Sequence, residues 1–318
     1  MIDAPTSVRR LRVGCEFLHD LEWPVTFVLQ VEPRPDSVRA LSSAGVETWP
    51  PTSLHEYIDL YGNTCQRFVL GPGSVRIRYE AEVEVDGGVD EANETASQAA
   101  VADLPDSTLH FTLASRYCES DTLSNTAWRL FGDAPPGWPR VRAVVDWVHD
   151  NVTFRHGSTV SATGATDVYL QRQGVCRDFA QLAVAFLRGL NIPARYCFGY
   201  LPDIDVPVIE PMDFVAWLEA YVGDRWYIFD PRNNARRTGR VLIGRGRDAL
   251  DIAMMTHYGA APLRAMRVVA EPIEAPPWSS AVPAVVGEFD ADLVRPDGTP
   301  APASTRTIQP PPGSRPTE

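Results

Sequence analysis

The sequence is poor in what several large function classes require. No run approaches the ~18 consecutive apolar residues of a membrane helix. Residues 1–20 carry Arg9, Arg10 and Arg12 but no apolar segment, so no secretory signal is expected. The stretch Val13-Gly14-Cys15 likewise lacks the hydrophobic run that precedes a lipoprotein cleavage site. Positive charge is scarce: 29 Lys and Arg stand against 41 Asp and Glu, a net charge of −12. Such a chain offers no broad basic footprint to nucleic acid, and an anionic membrane surface repels it. Cysteine is limited to Cys15, Cys65, Cys118, Cys176 and Cys197, with no C-x-x-C spacing. An odd, scattered set supplies neither a disulfide framework nor a zinc knuckle, and a reduced, cytoplasmic protein is expected.

Core material and proline are plentiful. The chain has 318 residues, 44% of them hydrophobic and 22% charged, which suits one or two globular domains. Of its 28 prolines, 11 fall in residues 271–318. Residues 296–318 are nearly devoid of apolar side chains and read as a disordered, Pro-rich tail. Residues 1–105 read as a β domain. In the stretch 74–85, Val75, Ile77, Tyr79, Ala81, Val83 and Val85 alternate with Arg and Glu, the pattern of a half-exposed antiparallel strand. Further strands are expected at 10–18, 25–32 and 66–70, together enough for a small antiparallel β-sandwich. Residues 106–295 form the second unit, in which helical periodicity takes over. Val141, Val144, Val145 and Val148 share one face of a helix over 138–150.

Residues 174–190 (GVCRDFAQLAVAFLRGL) carry the most chemistry. Phe179, Leu182, Ala183, Phe186, Leu187 and Leu190 form a continuous apolar stripe, and Asn191 and Pro193 end the helix. Cys176 then opens a buried helix, where free N–H groups and the positive dipole end favour thiolate over thiol. A free cysteine is as often a small buried hydrophobe, and spacing alone leaves both readings open. Asp178 suits the backbone groups of the first turn. A thiol nucleophile needs an imidazole base and a polar group to orient that base. Residues 214–229 form two strands about the turn Gly223-Asp224, with Val222 pairing Arg225. In that register positions 215 and 230 are diagonal neighbours on one face, so Asp230 is placed to orient a base at 215. Position 215 is valine.

These segments carry a resemblance. Residues 174–181 (GVCRDFAQ), 191–201 (NIPARYCFGYL), 211–219 (PMDFVAWLE) and 226–234 (WYIFDPRNN) resemble the core motifs of the bacterial transglutaminase-like superfamily, papain-related proteins of the cysteine-protease class. Residues 116–120, 145–158 and 240–252 are similar to the family as well, and in all the resemblance covers about residues 10–270. It implies an α+β fold: an N-terminal antiparallel β-sandwich, then a papain-like transglutaminase core whose cysteine-bearing helix packs on an antiparallel sheet. It implies acyl transfer or amide hydrolysis through a thioester, on a peptide or other amide, without metal or organic cofactor. A backbone N–H near Cys176 is the natural oxyanion donor.

Carried over by position, the nucleophile falls on Cys176, the orienting aspartate on Asp230 and the histidine base on Val215. Gln181 stands where many relatives have histidine. Three readings follow: a catalytically inactive protein that uses the same cleft to bind a peptide-like ligand or a protein partner, an enzyme that recruits its base elsewhere, or an enzyme whose histidine is substituted in this chain. His156 and His257 are the candidates for a recruited base; the carboxylates of Asp178 and Asp213 match a thiol poorly. Trp217 and Trp226 are candidates to line an acyl-binding cleft, although aromatic residues also suit strand cores. Arg232, Arg236, Arg237, Arg240, Arg245 and Arg247 read as a solvated, salt-bridged face.

Overall fold

A computed structural model describes residues 8–41 and 45–273, so the expected tail at 296–318 lies outside the described residues. Seven strands come first: β1 (Val8–Leu21), β2 (Val25–Leu29), β3 (Arg39–Ala40), β4 (Gly45–Trp49), β5 (His55–Ile58), β6 (Thr64–Leu70) and β7 (Gly73–Asp86). Then follow α1 (Asp106–Leu109), α2 (Ser120–Phe131), α3 (Trp138–Asn151), β8 (Thr153–Phe154), α4 (Ala165–Gln171), β9 (Gln173–Gly174) and α5 (Cys176–Gly189). The chain continues through β10 (Ala194–Tyr200), β11 (Val215–Val222), β12 (Arg225–Phe229), β13 (Val241–Gly246), β14 (Met255–Tyr258) and β15 (Leu263–Pro272).

Two sheets form the sandwich. One runs β15-β1-β7-β3, with β4 also paired to β7, and the other runs β14-β2-β6-β5. The alternation expected over 74–85 is present: Val75, Ile77, Tyr79, Ala81, Val83 and Val85 are all buried. They pack with Leu11, Val13 and Phe17 of β1 and with Phe27 and Phe68 of the facing sheet. The opposite face is a cross-strand charge ladder, in which Arg12 pairs with Glu80, Glu82 and Glu271, and Arg76 with Glu16. Ion pairs directly across an antiparallel sheet satisfy charges that strand alternation forces to share a face.

The sandwich is not closed by the first hundred residues. β15 pairs with β1 from Leu11↔Pro272 to His19↔Leu263, and β14 pairs with β2. The boundary near residue 105 therefore marks the end of the first seven strands, not the end of the sandwich. Cys176, Met254, Met255 and Leu263 pack against one apolar cluster that joins the sandwich to Ala180, Tyr196, Phe198 and Val241 of the core.

The core is the antiparallel sheet β12-β11-β10-β13 with α5 laid against it. Every residue of the expected stripe on α5 is buried, and so are Ala180, Gln181, Val184, Ala185 and Arg188 on its other faces. The helix is enclosed by sheet on one side and by α2, α3 and α4 on the others. Buried Arg188 is tied down by the carbonyls of Ala194, Leu113 and Arg247 and by the Ser115 hydroxyl. Among the described residues, no helix is long and apolar enough to cross a membrane.

Candidate active site

The start of α5 is built by one carboxylate. Asp178, fully buried, accepts hydrogen bonds from the Val175 N–H (2.8 Å), the Thr159 hydroxyl (2.7 Å) and Arg177 Nε (3.2 Å). It therefore caps the helix and ties the 155–164 loop to it. Gly174 is required beside it, because a Cβ there would lie 2.7 Å from the Asp178 Cβ. The parallel bridge of β8 to β9 and the bond from Arg155 N–H to the Gly174 carbonyl (2.9 Å) bring His156 to the same end of the helix.

Cys176 is half-buried in the opening turn. Its thiol donates to the Phe214 carbonyl (3.8 Å), and the Ala216 N–H points at the sulfur. Backbone groups on both sides of position 215 thus hold the sulfur. Burial, together with the nearby Asp213 carboxylate, pushes the thiol up to about 11, and the Ala216 N–H and Arg232 only partly oppose this. The lowering expected from the helix N-terminus is overturned here. The terminal dipole acts as a partial charge, whereas Asp213 and Asp178 are carboxylates and burial itself disfavours the thiolate.

The hairpin has the register read from its turn. Val222 pairs with Arg225 and Leu218 with Phe229, and Gly223 adopts φ +65. Val215 is buried with Cys197, Leu201, Trp217 and Leu242. Asp230 follows β12 and is buried as well. It accepts from the Asn233 N–H (3.0 Å), Asn233 Nδ2 (2.8 Å) and Arg240 Nη2 (2.9 Å). Arg240 is shared with Asp90 (2.9 Å), and its guanidinium lies 5.0 Å from the centre of the Trp217 ring. Burial alone would lower the Arg240 pKa, but Asp230 and Asp90 hold it above its ordinary value. Arg240 Nη1 and Trp217 Nε1 are buried without a hydrogen-bond partner.

Two cavities meet at Cys176. One of about 140 Å³ is lined by Cys176, Val215, His156, Asp203, Asp213 and Arg232, among others. The second, of about 430 Å³, is lined by Cys176 with Tyr196, Phe198, Ile252, Met254, Met255 and Met266. Asp213 and Phe214 border both.

Of the residues expected to bind ligand, Trp217, Gln181 and Asp178 reach neither cavity and are almost fully buried. Gln181 accepts from the Ala249 N–H (3.2 Å) and so ties the 247–252 segment to α5; Trp217 supports Arg240. Trp226 borders a separate cavity with Asp86 and Arg225, and Arg195 stacks over its ring at 4.1 Å. Arg237, Arg240, Arg245 and Arg247 are in ion pairs as expected, whereas Arg232 stacks over Phe154 and Arg236 bonds the Asp90 carbonyl; the Arg237 and Arg240 side chains are buried rather than solvated.

Among the described residues, no imidazole hydrogen-bonds the Cys176 sulfur. His19, His149 and His257 are bonded through Nδ1 to backbone carbonyls, and His55 and His110 lie against aromatic rings. His257 is on β14 with its ring near Phe27 of the sandwich. His156 alone among the six borders a cavity with Cys176, edge-on to Phe154. In the sequence Asp213 reads only as a carboxylate poorly matched to a thiol and Arg240 only as one of a basic set; neither spacing nor periodicity marks their partners.

Comparison with known proteins agrees with this geometry. The family model described as the Transglutaminase-like superfamily matches residues 125–231. A crystal structure from Cytophaga hutchinsonii, named as a putative cysteine protease, is 32% identical, with TM-score 0.77 over 85% of this chain and 92% of that one. Uncharacterized protein ML0607 of Mycobacterium leprae is 29% identical over 234 residues, covering 70% of this chain and 82% of the relative. Uncharacterized protein Rv2569c of Mycobacterium tuberculosis is 34% identical over 122 residues, 35% of this chain and 39% of its own length.

Proposed function

The chain belongs to the transglutaminase-like superfamily, and from that premise we propose that it is a peptide-binding member whose Cys176 is held as an unactivated thiol. One observation carries this reading: the sulfur is bound by the backbone about position 215, with its acidity suppressed to about 11 and valine where a base would stand. Thioester chemistry needs the thiolate, and at neutral pH such a thiol is almost wholly protonated. Asp230 has no imidazole to orient, and Arg240 supplies the charge that balances it. The cleft itself is kept, with a cavity on each side of the sulfur. Its ligand is a peptide or a protein segment bound without turnover. Five unpaired cysteines support a reducing, cytoplasmic setting, and the mycobacterial relatives support a bacterial one.

A second reading has one observation in its favour, which is that His156 borders the cavity with Cys176 and Asp213. In that case the 155–164 loop delivers the base when ligand binds.

Alkylation by iodoacetamide, followed on Cys176 by mass spectrometry, separates the readings. The proposed protein alkylates at pH 7 no faster than free cysteine, and the rate climbs toward a midpoint near pH 11. Val215→His raises the pH 7 rate by about 10²-fold, the contribution of a positioned base. A wild-type thiol that outpaces free cysteine at pH 7, or a wild-type chain that hydrolyses amide substrates, rejects the proposal. If His156→Ala then removes that activity, the second reading replaces it.

A further inference from the structure

The two cavities at Cys176 differ in chemistry, and the larger is built from both halves of the molecule. Phe198 comes from β10 of the core sheet, Met255 from β14 and Met266 from β15 of the sandwich, with Met254 and Ile252 on the segment between. We propose that this cavity receives a bulky aliphatic side chain of a peptide whose backbone crosses Cys176 into the smaller cavity. The inference rests on the peptide-binding reading above and adds the class of residue recognised.

The size and lining of the cavity support it. A volume of about 430 Å³ falls within the ~300–1,000 Å³ of ligand pockets. Three thioethers on its wall adapt to branched aliphatic shapes without leaving a polar atom unpaired. Charge then decides between a peptide and a free fatty acid. Asp213 borders both cavities and is hydrogen-bonded to the Phe214 N–H (2.7 Å), so an anionic head group held in the larger cavity would meet a carboxylate, while Arg232 lies in the smaller one. Arg177 at the mouth does not offset this, because Asp178, the Thr159 hydroxyl and the Val160 carbonyl already engage its guanidinium. A neutral amide has no such conflict. The smaller cavity offers it donors and acceptors of both signs in Arg232, Asn233, Asp203 and Glu210.

The test uses two alkylating amides on the full chain, N-chloroacetyl-leucinamide and N-chloroacetyl-glycinamide, each rate divided by its rate with free cysteine. The leucine reagent labels Cys176 at least about tenfold faster, the factor expected for burying one such side chain. Ala249→Phe, which fills the cavity from the segment that Gln181 ties to α5, abolishes the preference. Met255→Trp fills the cavity from another wall, and the same loss is expected, so a poorly folded Ala249 variant does not end the experiment. Equal rates for the two amides on the wild-type chain overturn the proposal. So does protection of Cys176 by dodecanoate in preference to N-acetyl-leucinamide, which would make the ligand a fatty acyl chain. Loss of the leucine preference while Val215→His still gains reactivity removes only the occupant and leaves the reading of the site standing.

Discussion

Asp230 and Cys176 are both candidate site residues, and the fold treats them differently. At the Asp230 end the carboxylate is paired: Arg240 and Asn233 bond it, and Asp90 shares the guanidinium. At the Cys176 end the charge is suppressed, because burial and the Asp213 carboxylate keep the proton on sulfur. The difference reflects the two groups. A carboxylate is ionised at neutral pH whatever its neighbours short of strong desolvation, so a buried one must be paired. A thiol is neutral unless something lowers its pKa, so an unassisted cysteine at this position reverts to a small, weakly polar side chain.

Arg240→Met tests the comparison most severely. It leaves the buried Asp90 and Asp230 carboxylates without their shared cation, and a cost of about 3–5 kcal/mol is expected in urea unfolding, as for other broken buried pairs. If the two ends are independent, the surviving folded protein alkylates Cys176 at the wild-type rate; a changed rate would couple them. Asp178→Ala probes the Cys176 end with a smaller effect, about 1–3 kcal/mol, because the Val175 N–H and the Thr159 hydroxyl lose their acceptor. Limited proteolysis in the 155–164 loop should report the released tether.

The smallest effect concerns acidity. Asp213→Asn removes a carboxylate that raises the Cys176 pKa, so the alkylation profile should move to lower pH, and an unmoved profile would leave burial, with Asp178, as the cause. The sign for stability follows from the raised pKa: the folded thiol keeps its proton between its ordinary value of 9.0 and about 11, while the unfolded thiol loses it. Stability is therefore full below pH 9 and declines as pH rises through that window. Cys118, pushed up to about 12 by burial, extends the decline. Unfolding curves at pH 8 and pH 10 measure it.

Much of this fold is local pattern. β7 announces itself by alternation, α5 by its stripe, and the hairpin register by Gly223-Asp224, because each depends on neighbours two to four residues apart or on one turn. The return of β14 and β15 to the sandwich carries no such mark. Their pairings join residues more than two hundred positions apart, and an apolar strand reads the same whichever sheet receives it. The site divides the same way. Motif and register singled out Cys176, Val215 and Asp230, and Asp178 caps the helix as its position in the first turn suggested, but Trp217 and Gln181 are internal supports rather than cleft residues. Arg240 and the three methionines, by contrast, drew no separate notice.

The sequence by itself determined the superfamily, the α+β architecture, the helix that Cys176 opens and the valine at the position where the resemblance places a histidine. These are properties of residue identity and short-range spacing. Only the tertiary structure decided what surrounds these residues: Arg240 bonds Asp230, backbone groups hold the sulfur, and an apolar cavity adjoins it. Charge pairing, desolvation and cavity shape all depend on which distant residues share a few ångströms of space, and no local pattern encodes that.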